Sequence, residues 1–339
     1  MTPTSSPLPS DCGCSSLTRR EFLKTTVSGL AVATAGLPAL TSPSAYAAPA
    51  KSDRSETVVS SLFKTLTDEQ KKAVCFPFDH PLRSKVDNNW HIVKQKLADF
   101  YTKDQQAMIK EIFLSLHSPE YAEKVFQQVH HDAGKEGFGD SAIALFGEPG
   151  TGNFEFVFTG RHVTRRCDGD SVEGAAFGGP IFYGHATDTF NEKPTHPGNI
   201  YWYQAVRANE VFKMLNGKQR ELALLGEARE EKGTDTVKLT GKKTGLAGIP
   251  MTELTHDQKD LVRKVMADVL APFRKPDADE ALKLVESGGF DNLHMAFYKN
   301  HDVGGDGVWD VWQLEGPAMV WYFRGDPHVH TWVHIRDKA

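Results

Sequence analysis

Three of the fourteen histidines fall within seven residues near the C-terminus, in Asp326-Pro327-His328-Val329-His330-Thr331-Trp332-Val333-His334-Ile335. Imidazole nitrogen binds zinc, copper, iron and nickel, and two imidazoles at i and i+2 of an extended chain stand side by side on one face. The spacing predicts His328, His330, Trp332 and His334 on one face of a strand, and Val329, Thr331, Val333 and Ile335 on a core-facing one. A metal site built on His328 and His330 needs a third ligand from elsewhere in the chain. His162, at the end of the run Phe154-Glu155-Phe156-Val157-Phe158-Thr159-Gly160, is the first candidate. His185, after Phe182-Tyr183-Gly184, is the second, and Glu315 offers a carboxylate. Asp302 and Asp306 lie in a Gly-rich loop and read as turn formers. Gln313 stands where a calcium-binding EF-hand loop starting at Asp302 needs Glu.

Arg161, Arg165 and Arg166 surround His162. They suit an anion-binding cluster, or a solvated strand face paired with Asp168, Asp170 and Glu173. In a catalytic reading, His185 or His334 moves protons, and Arg161 or Arg165 orients an anionic small-molecule substrate. His130-His131-Asp132 ends a helical pattern, where the histidines read as cations favoured by the helix C-terminus or, at a fraying terminus, as residues of a site. No phosphate loop, nucleophile elbow, dinucleotide fingerprint, zinc-protease helix or haem-attachment motif occurs.

The elements needed to position these groups are legible in outline. Thr67-Asp68-Glu69-Gln70 and Thr255-His256-Asp257-Gln258 are capping boxes. Their echo is too short to argue a duplicated fold. Helical periodicity predicts helices over 90–101, 104–115, 118–131, 203–215, 219–231 and 277–287, with a further helix from the second capping box. Strands are expected at 141–146, 154–164, 293–299, 308–314, 317–323 and 328–335. The fold class is α+β: N-terminal helices packed with an antiparallel sheet, one domain over 56–339 after a polar leader at 48–55.

Residues 1–47 read as a targeting segment. Thr18-Arg19-Arg20-Glu21-Phe22-Leu23-Lys24 matches the twin-arginine export motif, followed by a weakly apolar run and a small-x-small site at Ala45-Tyr46-Ala47. The expected compartment is the periplasm or the exterior, the expected partner the twin-arginine export machinery, and no stable membrane span is expected after processing. That route exports folded proteins, many of them already loaded with a metal or redox cofactor. Removing this segment leaves 36 basic residues against 42 acidic ones. No basic stripe appears, and nucleic acid is not an expected partner. Cys75 and Cys167 remain and are expected to be free buried thiols.

The motifs together resemble a family of bacterial secreted proteins, the domain-of-unknown-function family 3500. Its Gly-His-His-Leu-like element is matched by Gly160-Arg161-His162-Val163, and its Pro-Phe-x-Gly-like element by Pro180-Ile181-Phe182-Tyr183-Gly184. Its Gln-Gly-Pro-like turn is matched by Leu314-Glu315-Gly316-Pro317, and its His-x-His-(Ser/Thr)-x-Trp-like strand by His328-Val329-His330-Thr331-Trp332. Arg161 replaces the first histidine of the pattern. The resemblance implies that His162, His328 and His330 belong together, and brings no reaction. The expected function is a periplasmic protein with a copper, iron or zinc site, either an oxidoreductase or hydrolase, or a non-catalytic ligand- or metal-binding protein; a metal-free pocket is the third possibility. The export reading has a direct check: Arg19→Lys with Arg20→Lys should leave the unprocessed protein in the cytoplasm, as seen by fractionation.

Overall fold

The structure is a computed structural model and describes residues 54–185, 196, 198–303 and 305–339. The targeting segment lies outside these residues, as does most of the leader. The chain opens with helices α1 (Arg54–Thr65) and α2 (Asp68–Val74) and a two-residue strand β1 (Cys75–Phe76). After an irregular segment, the single turn α3 (Leu97–Phe100), α4 (Lys103–Ser115) and α5 (Ala122–Asp132) follow. Then come β2 (Ala142–Gly147), β3 (Phe154–Gly160), β4 (Val163–Cys167) and β5 (Ile181–Gly184). The second part contains α6 (Tyr203–Met214), α7 (Gly217–Ala223), β6 (Leu224–Leu225), β7 (Ile249–Pro250), α8 (His256–Val269) and α9 (Lys275–Ser287). It closes with β8 (His294–Tyr298), β9 (Val311–Gly316), β10 (Met319–Arg324) and β11 (His330–Ile335).

Set side by side, and apart from the single turn α3 in the first and the two-residue β7 in the second, the two parts are the same succession: two helices, a short strand, an irregular segment, two helices, a four-strand meander. Among the described residues the strands form one sheet in the order β1-β2-β3-β4-β5-β11-β10-β9-β8-β6, with β7 beside β8. This order is symmetric about the β5–β11 pair. Each short strand runs parallel to its neighbour, β1 to β2 and β6 to β8, whereas the meander pairs are antiparallel.

The duplication extends to side chains. Gln70 and Gln105 close capping boxes on Thr67 and Thr102, and Gln219 and Gln258 close them on Asn216 and Thr255. In the first part the amides of Gln70 and Gln105 donate to each other at 2.9 and 3.0 Å. In the second part Gln219 and Gln258 do the same, both at 2.9 Å. Each Nε2 also donates to the carbonyl two residues before its partner's N-cap: Phe100, Thr65, Glu253 and Met214. A buried amide is tolerated when its donors and acceptor are engaged, as here. The fold is thus a topological duplication, which the sequence echo was too short to carry. By element order, Thr67 corresponds to Asn216, and Thr102 to Thr255.

The sheet alternates as strands must. Phe154, Phe156, Phe158, Val329, Val333 and Ile335 join the helices in the large core, while Phe182, Val320, Tyr322 and Trp332 pack on the other face with Val86 and Val237. Two irregular segments, 77–95 and 226–248, cover that second face, the first through Trp90 and Ile92. Both depart from the helical expectation: of the helix expected over 90–101 only α3 forms, and the one expected to reach 231 ends at Ala223 as α7. Their apolar residues cap the sheet instead of completing a helical stripe. The run 154–164 is also not one strand, because the chain reverses at Arg161-His162 between the paired Gly160 and Val163. No described helix is long and apolar enough to cross a membrane.

Truncating one member of each amide pair tests the duplication. Gln70→Ala and Gln219→Ala should each lose about 1–3 kcal/mol in denaturant unfolding, since the partner amide is left with a buried unpaired donor.

Candidate metal centre

The reversal at Arg161-His162 is what delivers the third histidine. His162 has φ of 55°, a left-handed conformation uncommon outside glycine. Its backbone is tied on both sides: His162 N donates to Asn88 O at 3.0 Å, and Gly184 N donates to His162 O at 3.1 Å. Gly184 in turn faces His330 across β5 and β11. A Cβ at Gly184 would lie 2.2 Å from Val329 O, so only glycine allows this approach.

His162, His328 and His330 each offer a ring nitrogen, and these atoms all lie within 4.8 Å of one another. The His328 and His330 Nε2 atoms are 3.0 Å apart. Three nitrogens about 2.1 Å from one tetrahedral ion would stand roughly 3.4 Å apart, between the 3.0 Å that separates His328 from His330 and the 4.8 Å limit on the group. The rings are aimed from behind. His162 Nδ1 lies 3.2 Å from Asp132 Oδ2, and His330 Nδ1 lies 2.7 Å from Glu231 Oε2. Donation of Nδ1–H to these carboxylates leaves both Nε2 lone pairs toward the centre. Glu231 is itself held by Arg324, whose Nε is 3.3 Å from Oε1, and Arg324 pairs with His330 in register.

Burial is the largest influence on all three imidazoles, lowering their pKa values. It brings His162 to about 3 with help from Arg161 and Arg324, against the opposing charge of Glu231. His328 falls to about 4 through burial and then the neighbouring His162 and Arg324. Burial and Arg324 put His330 well below its ordinary value. At neutral pH the site therefore presents uncharged imidazoles, the form that binds metal.

A second row of histidines adjoins the first. His185 Nδ1 lies 3.6 Å from Asp132 Oδ1, so one buried carboxylate stands between His162 and His185. The rings of His131 and His196 lie stacked 6.3 and 6.1 Å from that of His185. Burial, followed by His131 and His196, lowers His185 to about 4.

The remaining candidates are dispersed. His334 lies four residues along β11, with Nδ1 3.1 Å from Val237 O. Arg161 is exposed and bridges Asn89, lining a cavity of about 400 Å³ with Lys96 and Gly134. Arg165 is buried on the helix side, where Nε donates to His117 Nε2 at 3.0 Å and Nη1 to Phe182 O at 2.9 Å. Arg166 is buried on the opposite face against Glu155, Nη1 to Oε1 2.6 Å. The arginines thus form neither one anion cluster nor a solvated face. Glu315 pairs with Arg229 beside Gln313 and takes no part in the histidine group. Asp302 accepts from the backbone N–H groups of Asp306 and Gly307, as a turn former does. Cys75 and Cys167 are both free; Cys167 is buried as expected, whereas Cys75 is only partly buried.

Sequence reasoning missed Asp132 and Glu231. Asp132 was visible only as the neighbour of His130 and His131, and Glu231 was hidden at the end of an expected helix.

The chain matches the family described as Protein of unknown function (DUF3500) over residues 49–338, and it belongs to that family. No curated protein and no solved structure matches it.

The lowered histidine pKa values set a pH dependence. A folded-state pKa of about 4 against an unfolded value near 6.5 means the unfolded chain takes up protons first as pH falls. Metal-free protein should be fully stabilised by these groups above about pH 6.5, and should lose that stability progressively toward pH 4. Urea midpoints measured at pH 7.5, 6, 5 and 4 check this, with a smaller decline expected in His185→Gln.

Proposed function

We propose that this chain is an exported, metal-dependent enzyme acting on a small molecule, with His162, His328 and His330 as the protein ligands of a transition metal. The observation that carries the reading is the convergence of three imidazole nitrogens, two of whose rings are aimed by buried carboxylates. With Nδ1–H of His330 donated to Glu231, its Nε2 is a bare lone pair, yet it lies 3.0 Å from His328 Nε2. One hydrogen bond can satisfy that pair only if His328 supplies the proton. A cation satisfies all three rings at once. The donor set suits zinc, copper or iron.

Three histidines among the described residues leave a position for water or substrate, the arrangement of catalytic sites; storage and structural sites are closed by four protein ligands. A bound ion would supply Lewis acidity and lower the pKa of coordinated water. The chain's own residues would do the rest. Asp132 and Glu231 orient the ligand rings. Asp132 also couples His162 to His185, which is placed to take up or return a proton. Arg161 is exposed beside His162, and its charge reaches His162 and His328, favouring an anionic small molecule. The twin-arginine motif supports passage through the twin-arginine machinery to the periplasm or exterior, after folding and metal loading. A non-catalytic metal-handling protein would use the same three histidines with a fourth protein ligand closing the site.

Metal analysis of protein purified after export should find about one transition-metal ion per chain, lost in His328→Ala with His330→Ala. Asp132→Asn and Glu231→Gln should bind the metal about 10–100-fold more weakly while retaining the three ligands. Substoichiometric metal that the double histidine substitution leaves unchanged would refute the proposal. Displacement of bound water by azide, followed spectroscopically in the cobalt- or copper-loaded protein, separates the catalytic reading from the closed-site one.

A further inference from the structure

We infer a second ligand site, for a small organic anion, at the opposite end of the β5–β11 pair from the three histidines. A cavity of about 420 Å³ opens there between the two covering segments, with Arg83 contributed by one and Val237, Lys238 and Leu239 by the other. His334 and Arg336, at the end of β11, also line it. The volume falls within the range of small-molecule pockets.

Cationic side chains outnumber acidic ones. Arg83, Lys238 and Arg336 line the cavity with one acidic side chain, Asp235, and with the C-terminal residue Ala339. Arg83 is already engaged, Nη1 with Glu155 Oε2 at 3.0 Å and Nε with Phe78 O at 2.7 Å. Lys238 and Arg336 have no carboxylate side-chain partner among the described residues, and Arg336 Nε is buried without an acceptor. A buried donor left unmade costs about 1–3 kcal/mol, which an anionic ligand would relieve. His334 adds no charge, because burial lowers its pKa to about 4 and Nδ1–H is given to Val237 O. Apolar walls at Val172, Val237 and Leu239 favour an anion with a hydrocarbon body over phosphate or sulfate.

This site is separate from the metal centre although both lie on one face of β11. Four residues of strand put His334 about 13 Å from His330. Trp332 and Phe182 fill the interval, with ring centroids 4.6 Å apart.

Calorimetry on the full processed chain tests the inference, with octanoate as probe and octanamide and sulfate as controls. Octanoate should bind, and octanamide and sulfate should bind at least about tenfold more weakly, the factor expected from one charge-assisted contact. Arg336→Met and the exposed Lys238→Met should each weaken octanoate by a similar factor, the latter sufficing if the former does not fold. His328→Ala with His330→Ala should bind octanoate as the parent does. The inference is overturned if octanoate does not bind, if octanamide binds equally, if neither cation substitution weakens it, or if the histidine substitutions abolish it.

Discussion

The antiparallel pairing of β5 with β11 is the contact on which the rest of the molecule depends. It joins two topologically equivalent halves into one sheet, and it works because Gly184 lets Val329 O come close enough to accept from His185 N at 3.0 Å. The same approach places His330 opposite Gly184 and brings the His162 carbonyl within reach of the Gly184 amide. A side chain at this single position would push apart both the sheet seam and the residues that meet above it.

The two halves share their frame but not their chemistry. Each has a two-residue hairpin between its second and third meander strands. In the first half this is Arg161-His162, between Gly160 and Val163; in the second it is Pro317-Ala318, between Gly316 and Met319. Only the first carries a histidine of the cluster. Likewise only the second covering segment supplies Glu231, which holds His330. A histidine site forms at one end of the seam because it takes one turn from the first half, one segment from the second, and the seam strand itself. At the other end lies a cavity whose lining includes Arg83, Lys238 and Arg336.

Buried charge in this fold is matched to its surroundings in three ways. Arg166 meets Glu155, which also takes Arg83 at 3.0 Å, so desolvation is offset by direct ion pairing. Among the described residues Arg165 meets no carboxylate; it meets the neutral His117 ring, carbonyl oxygens and the faces of Tyr183 and Phe273. The histidine group sits between Asp132 and Glu231 while burial keeps its rings neutral. That combination of neutral donors and carboxyl supports suits a cation.

Local sequence determined what depends on local physics. Capping boxes fixed the starts of α2 and α8, helical periodicity found α4, α5, α8 and α9, and the two-residue period correctly divided the faces of β11. The pattern of His162 with His328 and His330, read through a family resemblance, also named the three residues that the fold brings together. Tertiary structure alone decided the rest. Whether Arg165 and Arg166 are solvated or buried depends on which elements cover each face of β4, and the run 154–164 carries no local sign of reversal strong enough to outweigh its β propensity. Asp132 and Glu231 acquire meaning only because a helix end and a covering segment, separated by 99 residues from His330 in the latter case, arrive behind the imidazoles. The duplication was equally hidden, since the geometry of paired amides is kept with Thr-x-x-Gln in three places and Asn-x-x-Gln in the fourth: hydrogen-bonding capacity is repeated, and the letters need not be.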